Sequence, residues 1–178
     1  MTIRSLPRSS ENRRHRAVAA LVAALALLLA PAPSSAQSTD DDGLRIGVSV
    51  GGISTVGLVF EYFNGNRSLD ITVGTWSFRD LSLSAVVKEY FGASAARPFV
   101  GVGLWIVAAK PSNERLGMAI VLRAPVGVDW NVTGKHFLGA SLNVNRGLWV
   151  RRTDPEDDLP LNRRLVPLPG VYYRFESR

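Results

Sequence analysis

Seven charged residues, Arg45, Glu61, Asp70, Lys88, Arg123, Asp129 and Arg174, fall on one face of segments that alternate between polar and apolar residues. Four cations and three carboxylates in this arrangement admit two chemistries. Enclosed in a small space, they must pair or be hydrated, because an unpaired buried charge is costly. Left open to water, they would line a narrow ion path or supply acid/base carboxylates. A base and nucleophile pair is the other chemistry to look for. His136 is the one histidine beyond residue 36, and Ser141 lies five residues on. A catalytic triad needs mutual hydrogen-bond reach, and no acidic partner is placed for this pair, so His136 reads as a surface histidine beside a turn. No Walker, dinucleotide or metal-ligand spacing occurs, so no cofactor and no metal is expected.

The elements that must position these charges are strands. From Ile120 through Leu122, Ala124, Val126, Val128, Trp130 and Val132 the even positions are apolar or small, while Arg123, Gly127, Asp129 and Asn131 lie between them. After the turn Thr133-Gly134-Lys135 the pattern resumes, with Leu138, Ala140, Leu142 and Val144 set against Gly139, Ser141, Asn143 and Asn145. A period of two is a pleated strand with one apolar face. These runs exceed the length of about 5–6 residues usual in soluble sheets and suit strands of about 9–11 residues crossing a bilayer at a tilt. Similar segments run from Leu44 to Gly51, Val56 to Phe63, Ser68 to Phe78, Leu81 to Phe91, Pro98 to Val107 and Gly170 to Phe175. With no helical segment between them, about eight strands predict an all-β, antiparallel, up-and-down transmembrane barrel over residues 44–178. Apolar residues would face lipid, and the charges would fill the lumen as a polar plug.

Aromatic residues mark the strand ends. Phe60, Tyr62, Phe91, Phe99, Trp130, Tyr173 and Phe175 are expected to form a girdle at the inner end, where amphipathic rings favour the membrane interface. Trp76, Trp105 and Trp149 fall at the outer ends with inward parity, so either bulges turn them out or they cluster at the outer mouth. Proline adds a further expectation. Pro125 lies inside the sixth strand, and Pro167 and Pro169 share its parity just before the last. The plain reading leaves Pro167 and Pro169 in the preceding connection; the sharper one is a weakened seam between strands seven and eight, through which an apolar molecule enters laterally.

The formal charge of +6 invites a nucleic-acid partner, but its location argues against one. Arg4, Arg8, Arg13, Arg14 and Arg16 precede the apolar run Ala17 to Ala30, and Ser34-Ser35-Ala36 supplies a small-residue exit. These are the parts of a secretory signal peptide over residues 1–36, followed by a flexible periplasmic lead-in at 37–43. Without the leader 16 basic residues face 14 acidic ones, a net of +2. The chain has no cysteine, which excludes a disulfide-stapled secreted scaffold and a bacterial lipid-anchored precursor.

The strand opening Arg97-Pro98-Phe99-Val100-Gly101-Val102-Gly103, the segment Val126-Gly127-Val128-Asp129-Trp130 and the ending Tyr172-Tyr173-Arg174-Phe175 resemble those of small Gram-negative outer-membrane barrel proteins of the OmpA, OmpX and OmpW kind. Glu176-Ser177-Arg178 follow the final aromatic, where that family usually stops. The resemblance implies a monomer in the cell outer membrane, surrounded by its lipids and delivered by the secretion pathway and the barrel-assembly machinery. It does not imply one activity. Some such barrels modify lipid A, but the deacylases use a His-x-Ser arrangement that His136 and Ser141 do not match. The expected function is therefore non-enzymatic, structural, surface-binding or concerned with small apolar ligands. The competing class is a soluble lipocalin-like barrel whose apolar face lines a ligand cavity, and the sense of the alternation discriminates the two.

Overall fold

A computed structural model describes residues 43–109, 116–154, 161 and 164–177. They form eight strands: β1 (Gly43–Gly51), β2 (Ser54–Asn64), β3 (Arg67–Thr75), β4 (Asp80–Tyr90), β5 (Ala96–Ala109), β6 (Gly117–Thr133), β7 (His136–Arg151) and β8 (Val166–Ser177). Each strand pairs antiparallel with its neighbour in sequence, and β1 pairs with β8, so the sheet closes. Closure leaves no sheet edge, which is what lets strands satisfy their backbone groups in lipid. The expected leader and most of the lead-in lie outside the described residues, as do much of the 110–116 connection and part of that at 151–164. Gly43, expected in the lead-in, is the first residue of β1 and pairs with Phe63.

Register fixes the tilt. The row of partners through Ile46, Phe60, Ile71, Ala85, Leu104 and Leu122 reaches Arg146 on β7, while the other way round, through Phe175, it reaches His136. One circuit thus advances ten residues along β7. With a strand rise of about 3.3 Å and a spacing of about 4.8 Å, this shear on eight strands corresponds to a tilt of roughly 40°.

The start of β1, the end of β8 and the hairpins at 65–66, 91–95 and 134–135 share one end of the barrel, the hairpin end. Gly65 and Gly134 take positive φ there, as two-residue hairpins require. The β1–β2 and β3–β4 turns lie at the opposite, loop end. Gly51 and Gly52 have φ of 78° and 72°, and the turn they make tucks Ile53 into the interior. β3 ends at Thr75, short of the expected Phe78. The Asp80 carboxylate accepts from Thr75 Oγ1 (2.7 Å) and from the amides of Trp76 (2.9 Å) and Ser77 (3.1 Å), which folds the chain over before another ladder step can form.

The sense of alternation is apolar outward. Val126, Val128 and Leu142 are 43–45% exposed on the outer face, while Glu61 and Arg174 inside are fully buried. A lipocalin-like barrel has the opposite sense.

Candidate functional site

The lumen is held by charges from six strands. Lys88 Nζ on β4 lies 2.5 Å from Asp70 Oδ2 on β3 and 3.1 Å from Glu61 Oε1 on β2. Glu61 also pairs with Arg174 on β8, whose Nη2 is 3.6 Å from Asp129 Oδ1 on β6. Arg45 on β1 completes the chain, with Nη1 at 3.2 Å from Asp129 Oδ2 and Nε at 3.2 Å from Glu176 Oε2. Hydroxyls take up further carboxylate capacity. Ser68 (2.6 Å) and Tyr90 (2.8 Å) donate to Glu61 Oε1, and Thr72 donates to Asp70 Oδ1 at 2.8 Å.

The structure thus joins six of the seven charges singled out in the sequence and sets the seventh apart. Arg123 donates to Asn143 Oδ1 (2.9 and 2.7 Å) and to Ser84 Oγ (2.8 Å), all neutral acceptors. Glu176 takes a place that the seven leave empty, accepting from Arg45 Nε. Its parity, two residues after the inward Arg174, was the signal available for it.

Aromatic rings pack around the cations. The Arg45 guanidinium lies 3.5 Å from the Phe137 ring centroid and 3.9 Å from that of Phe63, and Arg174 lies 3.8 Å from the Tyr172 ring. Phe63, Tyr90 and Phe99 form a buried cluster with ring centroids 5.1 and 5.3 Å apart. Phe99 therefore belongs to the lumen and not to the girdle. Its register partner Gly127 faces inward and leaves room for the ring, and a Cβ on Gly127 would meet Phe99 Cζ. Phe60, Tyr62, Phe91, Trp130, Tyr173 and Phe175 are exposed around the hairpin end.

The three tryptophans divide. Trp105 is buried inside, with Trp76 beside it at a centroid distance of 6.5 Å. Trp149 is exposed and faces outward. The β6–β7 register passes from Val121↔Gly147 to Ile120↔Trp149, so Leu148 is an extra residue that inverts the parity beyond it.

Two cavities flank the charge chain. One of about 30 Å³ is lined by Asp70, Lys88, Arg123, Asn143 and Tyr172, among others. The other, of about 390 Å³ at the hairpin end, is lined by Arg45, Arg97, Asp129, Phe137 and Glu176, among others. They share no lining residue, so the paired side chains stand between them. The arrangement can seal the lumen; it does not present a base to a nucleophile. His136 Nδ1 is hydrogen-bonded to Tyr173 OH at 2.6 Å on the outer surface, whereas Ser141, an odd number of residues away, points to the lumen. Among the described residues, no group of three or more His, Asp or Glu side chains is placed to hold a metal ion.

Pro167 and Pro169 lie within β8, not in the connection before it, and pair with Val144 and Leu142 of β7. The β7–β8 register is therefore continuous through them, which corrects the reading that left them in the preceding connection. Gly52 N donates to Pro169 O at 2.8 Å, so that residue's backbone groups face β1. Because β1 ends at Gly51, the missing N–H groups cost no ladder bond. Pro125 is accommodated similarly, since the β5–β6 register is interrupted between Val100↔Val126 and Gly103↔Arg123.

No family model matches the chain, and no curated protein sequence does. Among solved structures the chain is similar to the N-terminal β-barrel domain of Pseudomonas aeruginosa OprF. The TM-score is 0.59 at 16% identity, covering 76% of this chain and 98% of that domain. At that identity the likeness is one of fold.

Proposed function

We propose that this chain is a porin-like, non-enzymatic protein of the outer membrane, a barrel closed by its own side chains that serves as a rigid scaffold with its loop end facing outside. The observation that carries the reading is the sense of the alternation. Apolar side chains form the outer face of the barrel, and charged ones meet as ion pairs within it. A bilayer supplies the apolar phase that such a surface needs, and a closed barrel is the strand architecture that can occupy it. Export follows from the leader, with cleavage after Ala36 by the general secretory route.

Separation of inner and outer membranes tests the assignment. The mature protein, beginning at Gln37, is expected in the outer-membrane fraction, and it should migrate faster unboiled than boiled in a denaturing gel. A product that is soluble without detergent would refute the proposal. In a planar bilayer the sealed lumen should give no steady current, whereas a sustained conductance would favour an ion path along the charge chain.

A further inference from the structure

The outer face carries few charges, and their placement is uneven. At the hairpin end Arg67 and Glu89 neutralise each other, with Nε to Oε2 at 2.7 Å. At the loop end two outward residues are both arginine. Arg146 pairs in register with the outward Leu122, and beyond the extra residue Leu148 the outward positions are Trp149 and Arg151, opposite Ile120 and Met118. All three side chains are exposed. Neither Arg146 nor Arg151 makes an ion pair among the described residues.

Height gives these residues a meaning. Leu138 is the register partner of Trp130 and Tyr173 and so marks the aromatic level at the hairpin end. At about 3.3 Å per residue and a tilt of roughly 40°, Arg146 stands about 20 Å above that level, Trp149 about 25 Å and Arg151 about 30 Å. An apolar band about 25 Å tall therefore ends on Trp149, with one arginine just below its border and one just above. The bulge at Leu148 is what places Trp149 there. An arginine slightly below the border extends its stem along the apolar wall and brings its guanidinium to the headgroups.

We propose that Arg146 and Arg151, with Trp149 between them, form a docking face for phosphorylated lipid headgroups in the leaflet at the loop end; the inference rests on the outer-membrane assignment above. The two arginine positions are about 13 Å apart along the strand backbone. Guanidinium forks match phosphate oxygens in bidentate fashion, and the indole between them suits the boundary of acyl chain and headgroup. Charge complementarity selects the occupant, a lipid bearing more than one phosphate on a broad headgroup, because two cations at one membrane border that make no ion pair among the described residues attract anions and not a zwitterion.

The test uses the full mature chain in a zwitterionic detergent and counts bound lipid by native mass spectrometry. A bisphosphorylated glucosamine lipid, the same lipid dephosphorylated, and orthophosphate are the probes. The bisphosphorylated lipid should bind the unaltered protein and bind the Arg146→Gln/Arg151→Gln variant roughly thirtyfold more weakly, about fivefold for each arginine at a membrane surface. Arg67→Gln, at the opposite end, should change it less than twofold. Arg151→Gln alone, altered beyond the apolar band, should lose about fivefold and serves if the double variant does not fold. The proposal is overturned if the double variant binds as tightly as the parent, if the dephosphorylated lipid binds equally well, or if equimolar orthophosphate displaces the lipid. If the unaltered chain gives no heat-modifiable band in detergent, the outer-membrane reading fails instead.

Discussion

Lys88→Met is the substitution that most directly probes the lumen. The Lys88 ammonium serves two carboxylates, Asp70 at 2.5 Å and Glu61 at 3.1 Å. Without it the two are not equally affected. Glu61 keeps Arg174 and the hydroxyls of Ser68 and Tyr90, whereas Asp70 keeps the Thr72 hydroxyl as its hydrogen-bond donor. Breaking a buried pair by removing one partner costs about 3–5 kcal/mol. The cavity of about 30 Å³ beside Asp70 has room for about two waters at roughly 10–15 Å³ each, so the stranded carboxylate is partly hydrated and the lower figure applies. The expected loss is about 3 kcal/mol, measured by urea unfolding of the vesicle-inserted barrel and followed by the heat-modifiable band. Asp70→Asn in the Lys88→Met background removes the stranded charge and should restore about half or more of that loss. Arg123→Met, which breaks hydrogen bonds to neutral acceptors and removes a second cation near Asp70, should cost about 1–3 kcal/mol. The reasoning is refuted if Lys88→Met is neutral within about 0.5 kcal/mol, or if Asp70→Asn makes that variant less stable still.

Two further outcomes follow from the backbone. Gly139 sits against the Tyr172 ring, and a Cβ there would meet Tyr172 Cζ, Oη and Cε2; Gly139→Val should destabilise by about 1–3 kcal/mol as an overpacked site, and combination with Tyr172→Leu should be less than additive in the same unfolding assay. Pro169→Ala should stay within about 0.5 kcal/mol, because the restored N–H faces past the end of β1, whereas Val171→Pro, two residues on and opposite Val50, should cost about 3 kcal/mol by removing a ladder bond.

The barrel was legible because two signals coincide along the chain, period-two alternation and turn residues at Asn64-Gly65-Asn66 and Thr133-Gly134-Lys135. Where they part, the reading slips. Val59 on β2 and Val86 on β4 are apolar yet buried inside, and the second of them blurs the alternation of β4 near Val86-Val87. The start of β8 was hidden because proline argues for a loop, and only the register shows that the missing N–H groups face an end where β1 has stopped. Phe99 sits at a strand end as a girdle ring does, but its parity turns it inward, where it is buried. Parity itself was sufficient for six of the charges, but it could not show that Arg123 would turn to Asn143 and Ser84, since choice of partner depends on height along the axis as well as on face.

In the membrane reading proposed above, the charge chain does the work that an apolar core does in a soluble domain, for a reason that lies outside the protein. In lipid, apolar side chains gain nothing by turning inward, because the acyl chains outside are as apolar as they are. Polar side chains gain by being enclosed together, where each can find a partner. The resulting braces are long in sequence and short in space. Arg45 on β1 reaches Asp129 on β6, and Arg174 on β8 reaches Glu61 on β2, so strands that are not neighbours in the sheet are tied across the lumen, while the Arg45–Glu176 pair braces the adjacent β1 and β8. The charge chain leaves about 30 Å³ on one side and the cavity of about 390 Å³ on the other, at the hairpin end. The recognition proposed above lies instead on the outer wall at the loop end, where Arg146, Trp149 and Arg151 are exposed and take no part in the charge chain.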